Sequence, residues 1–236
     1  MTNTNLHQLS DQLTRDLNLT GPPIQISYLE HAPAGVTAHP GGAPSVCTFF
    51  AEGQRSPFYV DLKGHEACEI GAFVLGIAPA GELGGRLMAT IGAMQKEGYL
   101  QAGEEAKVPH NASAPAFVAY GPLGSLPMPP TDVLLLATPA SAMLALEASP
   151  QPAPMNGRPM CAIVPILNQG APVAVSLGCT GSRIYTQMGD DRLVVGVRGD
   201  YLERFAADVR KIRAANAWVD GEDSRRRAEA THPFTR

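Results

Sequence analysis

A long stretch without any charged residue, from Pro159 to Ser182, constrains the fold of this chain more than any other feature. Its length is close to that of a membrane-spanning helix, but Pro165, Gly170 and Pro172 interrupt it. Proline and glycine break helices, and a backbone inside a membrane must satisfy its own hydrogen bonds. We therefore predict that this stretch forms buried core and that the chain has no membrane partner.

The chain has 236 residues, enough to bury a large core without disulfides. We expect residues 1–219 to form a single compact α/β (or α+β) domain with a mixed, largely buried β-sheet and flanking helices. Residues 220–236 are charged and hold few apolar side chains, so a frayed C-terminal tail is expected there. Only 17% of the residues are charged, below the average for soluble domains, which favours a homo-oligomer with a covered neutral surface.

The balance of charge argues against nucleic acid as a partner. The formal net charge is -4 and the isoelectric point is about 5.8, whereas phosphate binding needs clustered Lys and Arg. The first residues lack a basic start followed by an apolar segment, so no secretory signal is evident and we expect a cytoplasmic protein. In that reducing compartment the four cysteines would remain free thiols.

Apolar periodicity predicts a succession of strands and helices. Ile24–Leu29 alternates apolar and polar residues as a half-buried strand does, and Asp132–Ala137 is the continuous apolar run of a strand buried on both faces. Residues 84–95 have the period of an amphipathic helix. A long amphipathic helix is predicted over residues 200–218, with an inner face that includes Phe205, Val209, Ile212 and Trp218.

The segment SLGCTGSR at residues 176–183 is followed by GDDRLVVGV at residues 189–197. Short motifs around the other cysteines precede these segments in order: Ser45-Val46-Cys47, Ala67-Cys68-Glu69 and Met160-Cys161-Ala162. Together they resemble the uncharacterised family named domain of unknown function 169, over roughly residues 9–209. The resemblance implies that all four cysteines occupy family positions, but it implies no particular reaction.

Cys47, Cys68, Cys161 and Cys179 are the strongest functional candidates. Thiolates are soft ligands, and a set of four commonly holds an iron-sulfur cluster or a zinc ion. The spacing contains no C-x-x-C pair, so folding would have to gather these thiols from distant segments. Two other interpretations stay open: buried structural thiols, because free cysteine packs as a small apolar residue, and a reactive nucleophile.

Residues near two of the cysteines indicate how a cofactor would be held. Gly178 and Gly181 let the backbone approach a bulky inorganic group, so both are predicted to bind the cofactor. Arg183 would stabilise an anionic cluster or an anionic substrate, which makes it the candidate catalytic residue. His65 stands three residues before Cys68, and both could face a metal, although a lone histidine is more often hydrogen-bonded.

These residues favour an iron-sulfur or other metal-dependent cytoplasmic enzyme that acts on a small, anionic molecule and is centred on the four cysteines. The alternative is a non-catalytic oligomeric binding or redox-sensing protein with buried structural thiols. Metal content distinguishes the two hypotheses, because only the first requires a stoichiometric metal.

Overall fold

The computed structural model describes residues 3–43, 45–65, 67–77, 80–111, 115–149, 154–156, 159–186 and 188–229. The helices are α1 (Asn3–Asp16), α2 (Val46–Gly53), α3 (Leu62–His65), α4 (Glu69–Val74), α5 (Ala80–Lys96), α6 (Pro139–Glu147), α7 (Ile163–Asn168), α8 (Thr180–Thr186) and α9 (Leu202–Glu229). The strands are β1 (Ile24–Leu29), β2 (Phe58–Asp61), β3 (Phe117–Pro122), β4 (Asp132–Ala137), β5 (Met155–Asn156), β6 (Val173–Ser176) and β7 (Leu193–Arg198).

A mixed sheet organises the described part of the chain, with the strand order β2-β3-β1-β4-β7-β6-β5. Neighbouring strands run antiparallel, except that the short β5 pairs in parallel with β6 at the edge. β4 lies at the centre, where Val133, Leu134 and Leu135 are at most 1% exposed. A strand covered on both faces needs apolar side chains on both, which is why this run is continuous. The predicted α/β fold is confirmed.

Helices cover both faces of the sheet, so the fold has three layers. On one face, Val133, Leu135 and Val195 belong to an apolar core that α1, α6 and α9 complete. Leu13 of α1 and Phe205 of α9 are fully buried in this core. We call this side of the sheet the packed face.

The opposite side, called the cysteine face below, carries Leu134 and packs against α2 and α7, with α4 lying against α2. Cys47 and Cys161 are buried in its core, and Cys68 and Cys179 are partly buried against it. Successive side chains of a strand point to opposite faces, so the two layers have separate sets of core residues. All four candidate ligands therefore share one layer.

The C-terminal helix is longer and less buried than its sequence predicts. α9 continues to Glu229 instead of ending near residue 219. Trp218 is 68% exposed, so its predicted place on the inner face is wrong. Ion pairs along the helix support its last turns, as between Arg227 and Asp223 at 2.6 Å.

The structure describes the predicted C-terminal tail only as far as residue 229. The fraying predicted for the tail falls partly on residues 230–236, which lie outside the described residues, and it stays a prediction. In the part of the chain that the structure describes, no helix combines the length and the apolar character needed to cross a membrane.

Candidate functional site

The four cysteines, which are far apart in the sequence, line one cavity on the cysteine face. This cavity has a volume of about 540 Å³ and lies among α2, α4, α5, α8 and the segment before α7. Its size is within the range of small-molecule sites in proteins. Folding thus brings Cys47, Cys68, Cys161 and Cys179 to a shared space.

Each cysteine stands at or near the start of a helical segment. Cys47 is in the first turn of α2, and Cys68 is the N-cap of α4. Cys161 lies in the 3-10 turn Met160–Ala162 that leads into α7, and Cys179 directly precedes α8. The first turns of helices expose backbone N–H groups that have no partner within the helix. Such groups are therefore available to the sulfur atoms.

Backbone N–H groups do reach two of the sulfur atoms. The N–H of Ser182 donates to the Sγ of Cys179 at 3.3 Å. The N–H groups of Val46 and Gly71 donate to the Cys68 thiol. A Cβ added at Gly71 would lie 2.9 Å from the Sγ of Cys68, so this close approach depends on glycine. Donors of this kind stabilise thiolates and are typical of metal-thiolate centres.

The thiols lie close enough to influence one another's ionisation. Burial raises the pKa of Cys47 well above its ordinary value, and Cys179 and Cys68 raise that pKa further. Burial also raises the pKa of Cys161 well above its ordinary value, with further increases from the other three cysteines. Burial likewise raises the pKa of Cys68. These three thiols are therefore neutral near pH 7, and a nearby cation would be needed to make them thiolates.

This donor set suits a sulfur-bound inorganic group better than a nucleophile. Thiols with a raised pKa supply little thiolate at neutral pH, whereas a metal displaces the protons of the thiols that bind it. Four soft donors suit either an iron-sulfur cluster or zinc. As the side chains stand in the described ranges, no group of three or more His, Cys, Asp and Glu is arranged to hold a single metal ion.

The glycines and the arginine near Cys179 occupy different positions. Gly181 lines the cavity, and a Cβ there would lie 3.9 Å from the Sγ of Cys179. Gly178 lies outside the cavity lining and has a φ of +79°, which L side chains rarely adopt. Arg183 also lies outside the lining and donates to backbone carbonyl oxygens, among them that of Gly189 at 2.8 Å. These hydrogen bonds hold the loop around Gly189, and the catalytic role of Arg183 stays a prediction.

His65 is buried and has a partner for each ring nitrogen. Nδ1 lies 2.6 Å from the carbonyl oxygen of Asp61, so the hydrogen bonds assign the ring proton to Nδ1. Nε2 then accepts a hydrogen bond from the Tyr120 hydroxyl at 3.0 Å. Burial lowers the pKa of His65 to about 4, so the ring is neutral. With both nitrogens engaged, His65 is not placed as a metal ligand, and it does not line the cavity.

Most of the cavity wall consists of residues that the sequence did not indicate as functional. The apolar part includes Phe73, Leu87, Ile91, Met94, Leu100 and Val108. The Tyr99 hydroxyl accepts a hydrogen bond from the N–H of Thr180 at 3.2 Å, which joins the segment after α5 to the residue next to Cys179. The helical period of α5 predicted an apolar face, but not that this face turns toward a cavity.

Family membership is clear from comparison with known proteins. The chain matches the family model for domain of unknown function 169, described as Uncharacterised ArCR, over residues 12–208. Because the match covers most of the chain, the chain belongs to this family, and the resemblance found in the sequence is confirmed. No curated protein and no solved structure matches the chain. The family description assigns no activity, so the functional argument rests on the cavity.

Proposed function

We propose that the four cysteines hold an iron-sulfur cluster, with zinc as the alternative, in a cytoplasmic metal-dependent enzyme that acts on a small molecule. The observation that carries this proposal is the convergence of Cys47, Cys68, Cys161 and Cys179 on one cavity. Ordinary core packing uses cysteine as a small apolar residue and does not require four of them, from four separate segments, to line one cavity.

The ionisation of the thiols supports the same conclusion. A thiolate at Cys47 or Cys161 would lie near other sulfur atoms, which raise the pKa of both groups. Thiolates alone are therefore disfavoured, and a cation among them reverses this effect. The N–H groups directed at Cys68 and Cys179 would stabilise the bound thiolates further.

The cavity also offers space for a substrate beside the sulfur atoms. A cluster held by these cysteines would supply electron-transfer chemistry, and it would supply Lewis-acid chemistry if only three of them bind it and one iron atom has no protein ligand. This chain's own residues would bind the substrate, and the apolar wall around Phe73, Leu87 and Met94 would limit the access of water to it. The hydrogen bond between Tyr99 and Thr180 holds the Cys179 loop against this wall.

A non-catalytic oligomeric binding or redox-sensing protein is the second candidate. Cys47 and Cys161 are only 6% and 3% exposed and pack within an apolar cluster, as structural thiols do. This candidate predicts no stoichiometric metal. Both candidates keep the expectation of a homo-oligomer, which light scattering on the purified chain would check.

Analysis of anaerobically purified full-length protein tests the proposal. We expect a brown protein with visible charge-transfer absorption and with iron and acid-labile sulfide in near-stoichiometric amounts. Stoichiometric zinc in a colourless protein would support the alternative metal at the same cysteines. A colourless protein with neither iron nor zinc, after reconstitution has also been attempted, would contradict the proposal and favour the second candidate.

A further inference from the structure

The charged side chains that line the cavity in the described part of the chain are all acidic. They are Glu69, Glu97 and Glu105, and among the described residues no Lys, Arg or His lines it. Arg183, which the sequence places near an anionic substrate, lies outside the lining, where backbone carbonyl groups hold it. The electrostatic potential in this space therefore favours cations over anions.

The rest of the lining is mainly apolar. A wall of this kind does not solvate a charge, so a charged ligand must find its counter-charge among the lining residues. Glu97 is at an exposed position, and the carboxylate of Glu105 accepts hydrogen bonds from Gln95 and from the N–H of Gly103. Both carboxylates remain negative charges that can offer a counter-charge only to a cation. Tyr99 and Tyr185 also line the cavity, and aromatic rings attract ammonium groups. An apolar body on the ligand would gain from burial against Leu87, Met94 and their neighbours.

We infer that the cavity takes a molecule with an apolar body and a positively charged, ammonium-like group, and that it discriminates against anions. The inference rests partly on the proposed function, because a cluster held by four thiolates carries net negative charge and would repel an anionic ligand. It departs from the anionic substrate that the sequence favours.

Two probes of similar size and opposite charge test the inference: benzyltrimethylammonium and phenylmethanesulfonate. Their dissociation constants would be measured by calorimetry on the full chain at constant ionic strength, both as purified anaerobically and after removal of metal by a chelator. We expect the cation to bind at least about tenfold more tightly than the anion, which is about 1.4 kcal/mol. Equal binding, tighter binding of the sulfonate, or no binding of the cation would overturn the inference.

Two variants test whether the preference for the cation arises from a carboxylate in the cavity lining. Glu97→Gln removes a carboxylate from the cavity lining, whereas Glu203→Gln removes an exposed carboxylate from α9 with the same change in net charge. We expect the first variant to reduce the preference for the cation about threefold, and the second to leave it unchanged. Equal losses in both variants would show that overall charge, and not the cavity, causes the preference.

Metal content measured on the same samples separates this inference from the proposed function. A preference for the cation in protein that never binds metal would sustain the inference while the proposed function fails. A metal-loaded protein that prefers the sulfonate would overturn the inference alone.

Discussion

The two faces of the sheet are built from the same strands but bury different kinds of side chain. The packed face joins β4 and β7 to α1, α6 and α9 through an apolar core. The cysteine face buries thiols, the hydrogen-bonded pair of His65 and Tyr120, and the carboxyl group of Asp132, and it leaves a cavity of about 540 Å³. Cavities and buried titratable groups cost stability, so their concentration on one face indicates function.

The largest expected difference between the two faces is the loss of metal content after a cysteine is replaced. Cys161→Ser removes a proposed ligand, and we expect it to reduce the metal content of anaerobically purified protein about tenfold or more. Ala142→Ser is the matched control, because Ala142 is 2% exposed on the packed face and also receives a buried hydroxyl. It should lower stability without loss of metal. Elemental mass spectrometry measures the metal content of both variants. Full metal retention in Cys161→Ser would contradict a metal centre shared by the four cysteines.

Asp132 should make the stability of the cysteine face depend on pH. It pairs with Ile26 across the sheet, so its side chain lies on this face. Burial raises its pKa from the ordinary 3.8 to about 8, more than Arg198 lowers it. The folded state therefore favours the protonated carboxyl, and stability falls as the pH rises from about 4 through 8.

Asp132→Asn should remove this dependence. The stability of the variant relative to the parent protein should be greater at pH 9 than at pH 5 by up to about 4 kcal/mol. Urea unfolding at both pH values measures the difference, and Asp11→Asn, at an exposed position of α1, is the control that should show none. A variant that loses stability with pH as the parent does would show that Asp132 is ionised in the folded protein.

Gly71 tests how tightly the cysteine face is packed around Cys68. A Cβ at Gly71 would lie 2.5 Å from the Cγ2 of Val46 and 2.9 Å from the Sγ of Cys68. We expect Gly71→Ala to cost about 1–3 kcal/mol of unfolding free energy and to reduce metal content. Gly92→Ala, in α5 with no atom within 4 Å of the added methyl, should be neutral or slightly stabilising. Thermal unfolding compares them, and equal stability of the two variants would mean that the Cys68 segment is free to move.

Tyr120→Phe should cause the smallest of these changes, a small loss of stability. It removes the hydroxyl that donates to the Nε2 of His65, and we expect a loss of about 1 kcal/mol in thermal unfolding. Tyr59→Phe removes a hydroxyl from a partly exposed residue of β2 and should change stability little. Equal losses in the two variants would mean that the buried hydrogen bond adds nothing to the cysteine face.

The strands could be predicted from sequence because their burial leaves a regular pattern. Ile24–Leu29 and Asp132–Ala137 have the predicted bounds. The apolar run in Asp132–Ala137 follows from burial on both faces of the sheet. Ile24–Leu29 is not the half-buried strand that its alternation predicted, because Gln25 and Ser27 are 0% and 1% exposed, and Gln25 donates a hydrogen bond to Ser27. α8 could not be predicted in this way. Its start is held by contacts of Ser182, whose hydroxyl accepts from the N–H of Cys179 at 2.8 Å, and not by apolar periodicity.

The candidate site was only partly predictable. The sequence indicated four cysteines, but their spacing did not show that Cys47 and Cys179 would approach the same cavity. The expected role of Arg183 depended on its charge alone, whereas its actual partners are backbone carbonyl groups that only the fold brings near. The sequence did not indicate the carboxylates of the lining, such as Glu97, because it does not show which residues border a cavity.

Anomalous X-ray scattering from crystals of anaerobically purified protein, measured at the iron and zinc absorption edges, tests the central claim most directly. We predict metal density inside the cavity, among the Sγ atoms of Cys47, Cys68, Cys161 and Cys179. Sulfur atoms that keep their apolar contacts, with no metal density among them at either edge, would contradict the account.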